Sequence, residues 1–409
     1  MLIDTVLGTL FIFFLIGFIL NLSVLGIFNV FDPIGDAISD VEFTDIVFSE
    51  IRESPVREDS NIVIVNIGKL ERAQLAMQIN IINQFEPKAI GIDSFFSFPK
   101  DSAGDAALYN ALSSVDNLIM ASQLMEYNET YNRFDSLKKS FSWVAPPGNS
   151  GFANLFTNAA EQDRFKVCRT FPPRMKTKED TVYAFAVELA RILSPEKTER
   201  FLARRNEEEI INYKRNILSY DMSQISGQYT AIDVQDVFQL NFEPHIIKDK
   251  IVLFGFLGED FYDKSWKDKF YTPLNVNYAG RSNPDMYGVV IHANIISMIL
   301  DEDYLYQQSR WASIMWAIIL CVINVYGFMI IYYRLPQWYD GLTKTIQLIE
   351  ILLLLFVTVM SFHWFNYKLE LTLATAVIAL AGDSLEVYKG LIMNLFTKKG
   401  RKNIFRIQN

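Results

Sequence analysis

Three histidines, His245, His292 and His363, are the residues whose chemistry could be catalytic or metal-binding in this chain. None falls in an HExxH or HxH pattern or beside a Cys/His cluster of zinc spacing, so metal catalysis finds no support. There is no GxxxxGK[ST], no GxSxG, and no GxGxxG opening a helix after a strand. The expectation is a protein that is not an enzyme, with no catalytic residues, no cofactor and no metal. What remains is a set of polar residues suited to holding a ligand: Asp93, Arg169, Asp263, Thr272 and His292. Asp93 closes the strand-like run KAIGID, where open parallel sheets place ligand crevices. Arg169 suits an anion, and His292 opens an apolar helical segment. Each has a plainer reading. Asp93 can cap a helix or anchor a loop, Arg169 can pair with Asp163 or a strand-end carbonyl, Asp263 and Thr272 can fix the loop around Pro273, and His292 can be a satisfied core histidine.

The elements that must position these residues read as an α/β domain. Asn61 to Ile67, Lys88 to Asp93, Asn117 to Ala121 and Ile251 to Phe256 are short apolar runs of the kind that form strands buried on both faces. Leu70 to Phe85 places Leu75, Ile79, Ile82 and Phe85 on one helical face, which makes the first two strands a right-handed parallel crossover. Helices are also expected at Ala103 to Ser114, Thr181 to Leu193, Ile232 to Leu240 and Gly288 to Leu300, and a strand at Glu209 to Tyr213. Ser122 to Pro147 is polar and aromatic and takes no assignment. Between Glu259 and Leu274 lies a loop with Asp260, Asp263, Asp268 and Thr272-Pro273.

The run from Lys248 to Leu300 resembles the second class of CHASE sensory domains. These are extracytoplasmic modules of bacterial histidine kinases, adenylate cyclases and serine/threonine kinases. The matching residues are Gly255 in the strand KDKIVLFG, Asp263, Thr272-Pro273, Gly288 and Ile291-His292-Ala293, with Gly151, Asn154, Asp163, Arg169 and Pro172 upstream. The resemblance covers roughly Asp45 to Leu300. It implies a sensory domain with one membrane span before it and three after it. One corner departs from the family pattern, which has Ile-Asp at the end of the first strand, then a Trp-Pro loop and an Arg. Here Asn66, Ile67, Gly68 and Lys69 stand there, and Arg72 alone could supply the basic position.

Half of the chain is hydrophobic and 14% aromatic, with the apolar residues concentrated in stretches long enough to cross a bilayer, which takes about 20 residues. The expected organisation is a first span over 1–28, retained as a signal anchor, and an acidic juxtamembrane linker over 29–60. The α/β domain, with its mixed and mostly parallel central sheet, follows over 61–303. Further spans at 311–333, 346–364 and 365–390 complete a four-helix transmembrane region, and a basic tail occupies 391–409. Lys398, Lys399, Arg401, Lys402 and Arg406 place the tail in the cytoplasm by the positive-inside rule, so both termini face inward and the large domain outward. The expected location is the bacterial cytoplasmic membrane. Glu350, Asp383 and Glu386 are candidate partner-facing groups within the spans; Asp383, Glu386 and Lys389 share one helix face. An interfacial position accounts for the same residues without a partner.

The net charge of −9 argues against nucleic acid as a partner. Cys168 and Cys321 fall on either side of the expected membrane boundary, so no intrachain disulfide is expected. The tail expected beyond the last span, 391–409, is too short for a kinase or cyclase. Two functions fit. One is a sensory module that signals through a separate membrane or cytoplasmic protein, with a second copy of the chain among the expected partners. The other is an envelope scaffold whose outer domain docks partners and whose spans assemble a complex.

Overall fold

The computed structural model describes residues 2–24, 44–52, 59–156, 167–217, 227–263, 265–275 and 283–392. The chain divides into two compact units, residues 48–305 and residues 1–47 together with 306–409. Helix α1 (Leu2–Val24) opens the chain and belongs to the second of these.

Residues 48–305 build a three-layer α/β unit. In chain order its principal elements are β1 (Ile62–Asn66), α2 (Arg72–Asn83), β2 (Ala89–Ile92), α3 (Ser102–Ser113), β3 (Leu118–Asn128), β4 (Arg133–Lys138), β5 (Ser150–Phe152), α4 (Phe185–Leu193), α5 (Pro195–Leu202), β6 (Thr230–Ile232), α6 (Val234–Gln239), β7 (Ile251–Gly255) and α7 (Gly288–Asp301). The seven-stranded sheet runs β6-β1-β7-β2-β3-β4, with β5 also paired to β3. Every pairing is parallel except β3 with β4. The sheet is therefore mixed and mostly parallel, as its near-continuous apolar strands imply. The strands IVIVN, AIGI and IVLFG are buried at every position, because helices cover both faces.

On one face Val63, Val65, Ile90, Ile92, Val252 and Phe254 pack with Leu75 and Ile79 of α2 and Leu108 and Leu112 of α3. The other face carries α4 and α7. Two glycines let these helices close on the sheet: a Cβ at Gly255 would lie 2.5 Å from Val289 Cβ, and one at Gly91 would lie 2.7 Å from Leu189 Cδ1.

The stretch Ser122 to Pro147, which has no clear pattern in sequence, begins as a continuation of β3. That strand runs past its parallel neighbours and folds back through β4, with Leu124 opposite Leu137 and Tyr127 opposite Phe134. Its polar, aromatic composition accords with this overhang beyond the parallel strands. The segment preceding α4 likewise differs from the expected helix start. Thr181–Tyr183 pairs antiparallel with Arg174–Lys176, and the helix begins only at Phe185. The expected strand at Glu209 to Tyr213 is a two-residue ladder, Glu209–Ile210.

In the second unit, α8 (Arg310–Arg334), α9 (Tyr339–Phe365) and α10 (Thr372–Val387) follow in sequence. Arg310–Arg334 and Pro336–Phe365 are long and apolar enough to cross a membrane; Asp4–Phe18 is a shorter apolar helix. Ile12 and Ile16 of α1, Cys321 and Val325 of α8, and Val377 and Ala381 of α10 share one core. Gln347 of α9 donates to the Ile378 carbonyl at 2.6 Å, and Tyr339 Oη donates to the Gly382 carbonyl at 3.0 Å. Phe14, Ile323, Leu352 and Phe356 point outward and exposed. Cys168 and Cys321 are both buried with free thiols.

The close approach at Gly255 makes a direct test of this packing. Gly255→Ala forces α7 away from β7 and is expected to destabilise the α/β unit by about 1–3 kcal/mol, the range for overpacking a filled core, as read from chemical denaturation.

Candidate functional site

A cleft of about 1360 Å³ opens at the carboxyl ends of β2 and β5, beside the middle of β3. Register builds its floor. Ile92 pairs with Met120, and Ala121 and Ser122 pair with Gly151 and Phe152, so Asp93 follows β2 level with Ala121 and Gly151, with Ser122 one residue and Ala153 two residues farther along the neighbouring strands. The Asp93 amide donates to the Phe254 carbonyl at 2.8 Å, and the Ala153 amide donates to the Ser122 carbonyl at 2.9 Å. Helix α7 contributes His292 from its second turn, and Asp268 stands over the start of that helix. The Gly288 amide donates to the Asp268 carbonyl at 3.1 Å. Asp268 Oδ2 lies 3.6 Å from where a Gly288 Cβ would sit, which sets that carboxylate against the first turn of the helix.

Electrostatics here are set by burial more than by countercharge. Burial of Asp93 raises its carboxyl to about 7. Asp268 is raised in turn, first by desolvation and then by the Asp93 charge. His292 is only 3% exposed, with its ring edge-on to Phe185 at 5.3 Å. Burial pushes it down to about 4, against the hydrogen bond its ring donates to the Ala153 backbone, so the imidazole stays neutral. Its Nδ1 is then a bare acceptor with no partner. Ser122 Oγ, also 3% exposed, is buried without a partner, as is Arg133 Nε farther along the cleft. Buried polar atoms are normally paired, so three unpaired ones around one cleft mark places where a ligand would bond.

A family model described as the CHASE2 domain matches residues 20–330. The chain belongs to the CHASE2-domain family. No curated protein and no solved structure matches it.

Of the five ligand candidates on the CHASE2 domain, the cleft brings together Asp93 and His292 and leaves out the other three. Asp263 ties its own loop, accepting from the Glu259 amide at 2.9 Å and the Ser265 amide at 2.8 Å, and these bonds lower its pKa. Thr272 is 1% exposed and clamps Asp285, donating from its amide at 2.8 Å and from its hydroxyl. Arg169 sits in a backbone ladder, its carbonyl accepting from the Ile211 amide at 2.9 Å. Asp163, its expected mate, lies outside the described residues. The residues that sequence reasoning did not single out are Ser122, Arg133 and Asp268. Asp268 was visible only as one acid among several in a loop.

The corner where this CHASE2 domain departs from its family pattern is closed. Asn66 is fully buried; its Oδ1 accepts from the Gly68 and Leu257 amides, each at 2.9 Å, and its Nδ2 donates to Asp233 Oδ1 at 2.8 Å and to the Gly258 carbonyl at 3.2 Å. An aspartate there would face Asp233 charge to charge. Arg72, the remaining basic candidate, is spent on a buried pair with Asp105 and a bond to the Phe98 carbonyl, with Phe96 at 5.7 Å beneath it. This corner serves the fold, and its polar groups are satisfied.

Among the candidates in the second unit, Asp383 pairs with Lys344 of α9, Glu386 is exposed, and Glu350 Oε2 is buried without a partner. Lys389, on the same face of the last helix, is buried against Asp4 at 3.3 Å and Tyr333 Oη at 2.7 Å.

Asp93 gives a signed pH prediction. Its folded pKa lies above its unfolded value, so the folded chain holds the extra proton and stability falls as pH rises from about 4 to about 7. Asp93→Asn removes that loss and is expected to stabilise the protein at pH 8 by roughly 1–2 kcal/mol, with little change at pH 4. That figure is less than half of the full linkage because the side chain is only half-buried. Thermal denaturation at the two pH values reads the difference.

Proposed function

We propose that the chain is a membrane-anchored receptor whose α/β unit lies outside the cytoplasm and takes a small polar molecule into the cleft. In this reading four spans anchor it, α1, α8, α9 and the apolar segment around α10. They hand the change to a separate partner protein. The observation that carries the reading is the cleft itself: His292 Nδ1 and Ser122 Oγ stand buried and unpaired in an opening beside the carboxyl ends of β2 and β5 in a CHASE2 domain. The bundle offers support at the other end of the pathway, since the exposed carboxylates Asp383 and Glu386 of α10 are groups that a partner helix would meet.

A docking scaffold is the second reading, and exposed aromatics favour it. Trp143 is 75% exposed with Phe141 beside it at 5.9 Å. The two readings separate on one substitution. Ser94, on the loop after β2, lines the cleft, and Ser94→Trp sets an indole into it. For a sensor, the low-molecular-weight fraction of the host's growth medium raises the melting temperature of the full-length protein in nanodiscs, and Ser94→Trp abolishes the shift. A scaffold shows no shift in either protein.

A further inference from the structure

The two ends of the cleft ask for opposite chemistry. At the floor Asp93 and Asp268 present carboxyls, and His292 Nδ1 is a neutral acceptor without a donor. At the far wall the groups are cationic. Arg133 opens β4 with its Nε buried and unpaired, and a parallel bridge between Phe134 and Thr177 sets Lys176 beside it, with Arg174 on the same short strand. All three line the cleft, and none makes an ion pair with a described carboxylate. Arg205, Glu207 and Glu208 also line it and together leave one net negative charge, against the three positive charges of Arg133, Arg174 and Lys176. A ligand that satisfies both ends carries hydrogen-bond donors at one terminus and an anionic acceptor at the other.

The separation of the two ends sets the ligand's length. Asn128, the partner of Arg133, lies six residues beyond Ser122 along β3, roughly 20 Å at about 3.4 Å per residue. With the reach of an arginine side chain subtracted, an extended chain of about four residues spans the gap. The volume agrees, being larger than the ~300–1,000 Å³ of ordinary small-molecule pockets. The wall between the two ends already receives an amide. The Asn154 carboxamide accepts from the Leu124 amide at 2.7 Å and donates to the Leu124 carbonyl at 3.3 Å, as a neighbouring peptide would.

We propose that the cleft binds a short extended peptide, its free amino terminus against Asp93, Asp268 and His292, and its carboxylate toward Arg133 and Lys176. This rests on the sensory reading above and names the class of ligand.

The test is affinity selection with the full-length protein in nanodiscs. The probe is a combinatorial pool of tetrapeptides with free termini, compared with the same pool N-acetylated and the same pool C-amidated, and retained peptides are read by mass spectrometry. Free-termini peptides are expected to be retained at least tenfold over acetylated ones. Asp93→Asn should remove most of that preference, and Arg133→Gln should remove the smaller preference for a free carboxylate. Equal retention of acetylated peptides, or no enrichment over empty nanodiscs, overturns the proposal. If no peptide is retained while the growth-medium fraction still gives a shift that Ser94→Trp abolishes, the sensor stands and the peptide falls. If both fail, the sensory reading falls with it.

Discussion

The insertion of β7 between β1 and β2 is the constraint on which the rest of the α/β unit depends. Ile251 to Gly255 pairs with Ile62 to Asn66 on one side, and its first four residues pair with Ala89 to Ile92 on the other. The middle of the sheet therefore forms only when two segments more than 150 residues apart meet. Every position of β7 is buried, so neither face can be left to water, and helices must cover both. Gly255 then decides how close α7 comes, because Val289 occupies the space a side chain would need. That approach carries His292 to the strand ends.

The cleft follows from the same geometry. β2 and β5 end beside the middle of β3, so the residues just beyond β2 and β5 and the neighbouring residues within β3 share one opening. Two of these, Asp93 and Ser122, are polar, and Ala153 between β5 and the His292 ring ties strand to helix. The far wall has a different origin. It exists because β3 outruns its parallel neighbours and turns back through β4, carrying Arg133 and, by the Phe134 to Thr177 bridge, Lys176. Floor and wall thus come from separate structural causes, which is why one is acidic and the other basic.

Much of this fold is legible in the residues. NIVIVNI, KAIGID and KDKIVLFG are apolar without interruption, a pattern that only a doubly covered strand requires, and the spacing of Leu75, Ile79 and Ile82 gives the intervening helix. Asp93 and His292 follow as site candidates because a strand end and a helix start are places that sequence can locate. Ser122 and Arg133 are a different matter. Their significance lies in lacking a partner, a property of three-dimensional neighbours that no local pattern carries. The same limit explains Asp263 against Asp268: both are acids in one loop, and only the fold shows that the first bonds its own backbone while the second overhangs Gly288. The hairpin through β4 escaped notice because it overhangs the parallel strands and lacks the apolar rhythm that marks a core strand.

The central claim is that His292 presents a bare acceptor to the cleft and that a ligand satisfies it. With only three histidines in the chain, nitrogen-15 magnetic resonance of labelled full-length protein in lipid can resolve the Nδ1 of His292 and follow it directly. The account predicts an imidazole that stays neutral from pH 5 to pH 8, with an unbonded Nδ1 that shifts to a hydrogen-bonded position when tetrapeptides with free amino termini are added. An Nδ1 that titrates in that range, or that is unmoved by ligands that bind the protein, would contradict it.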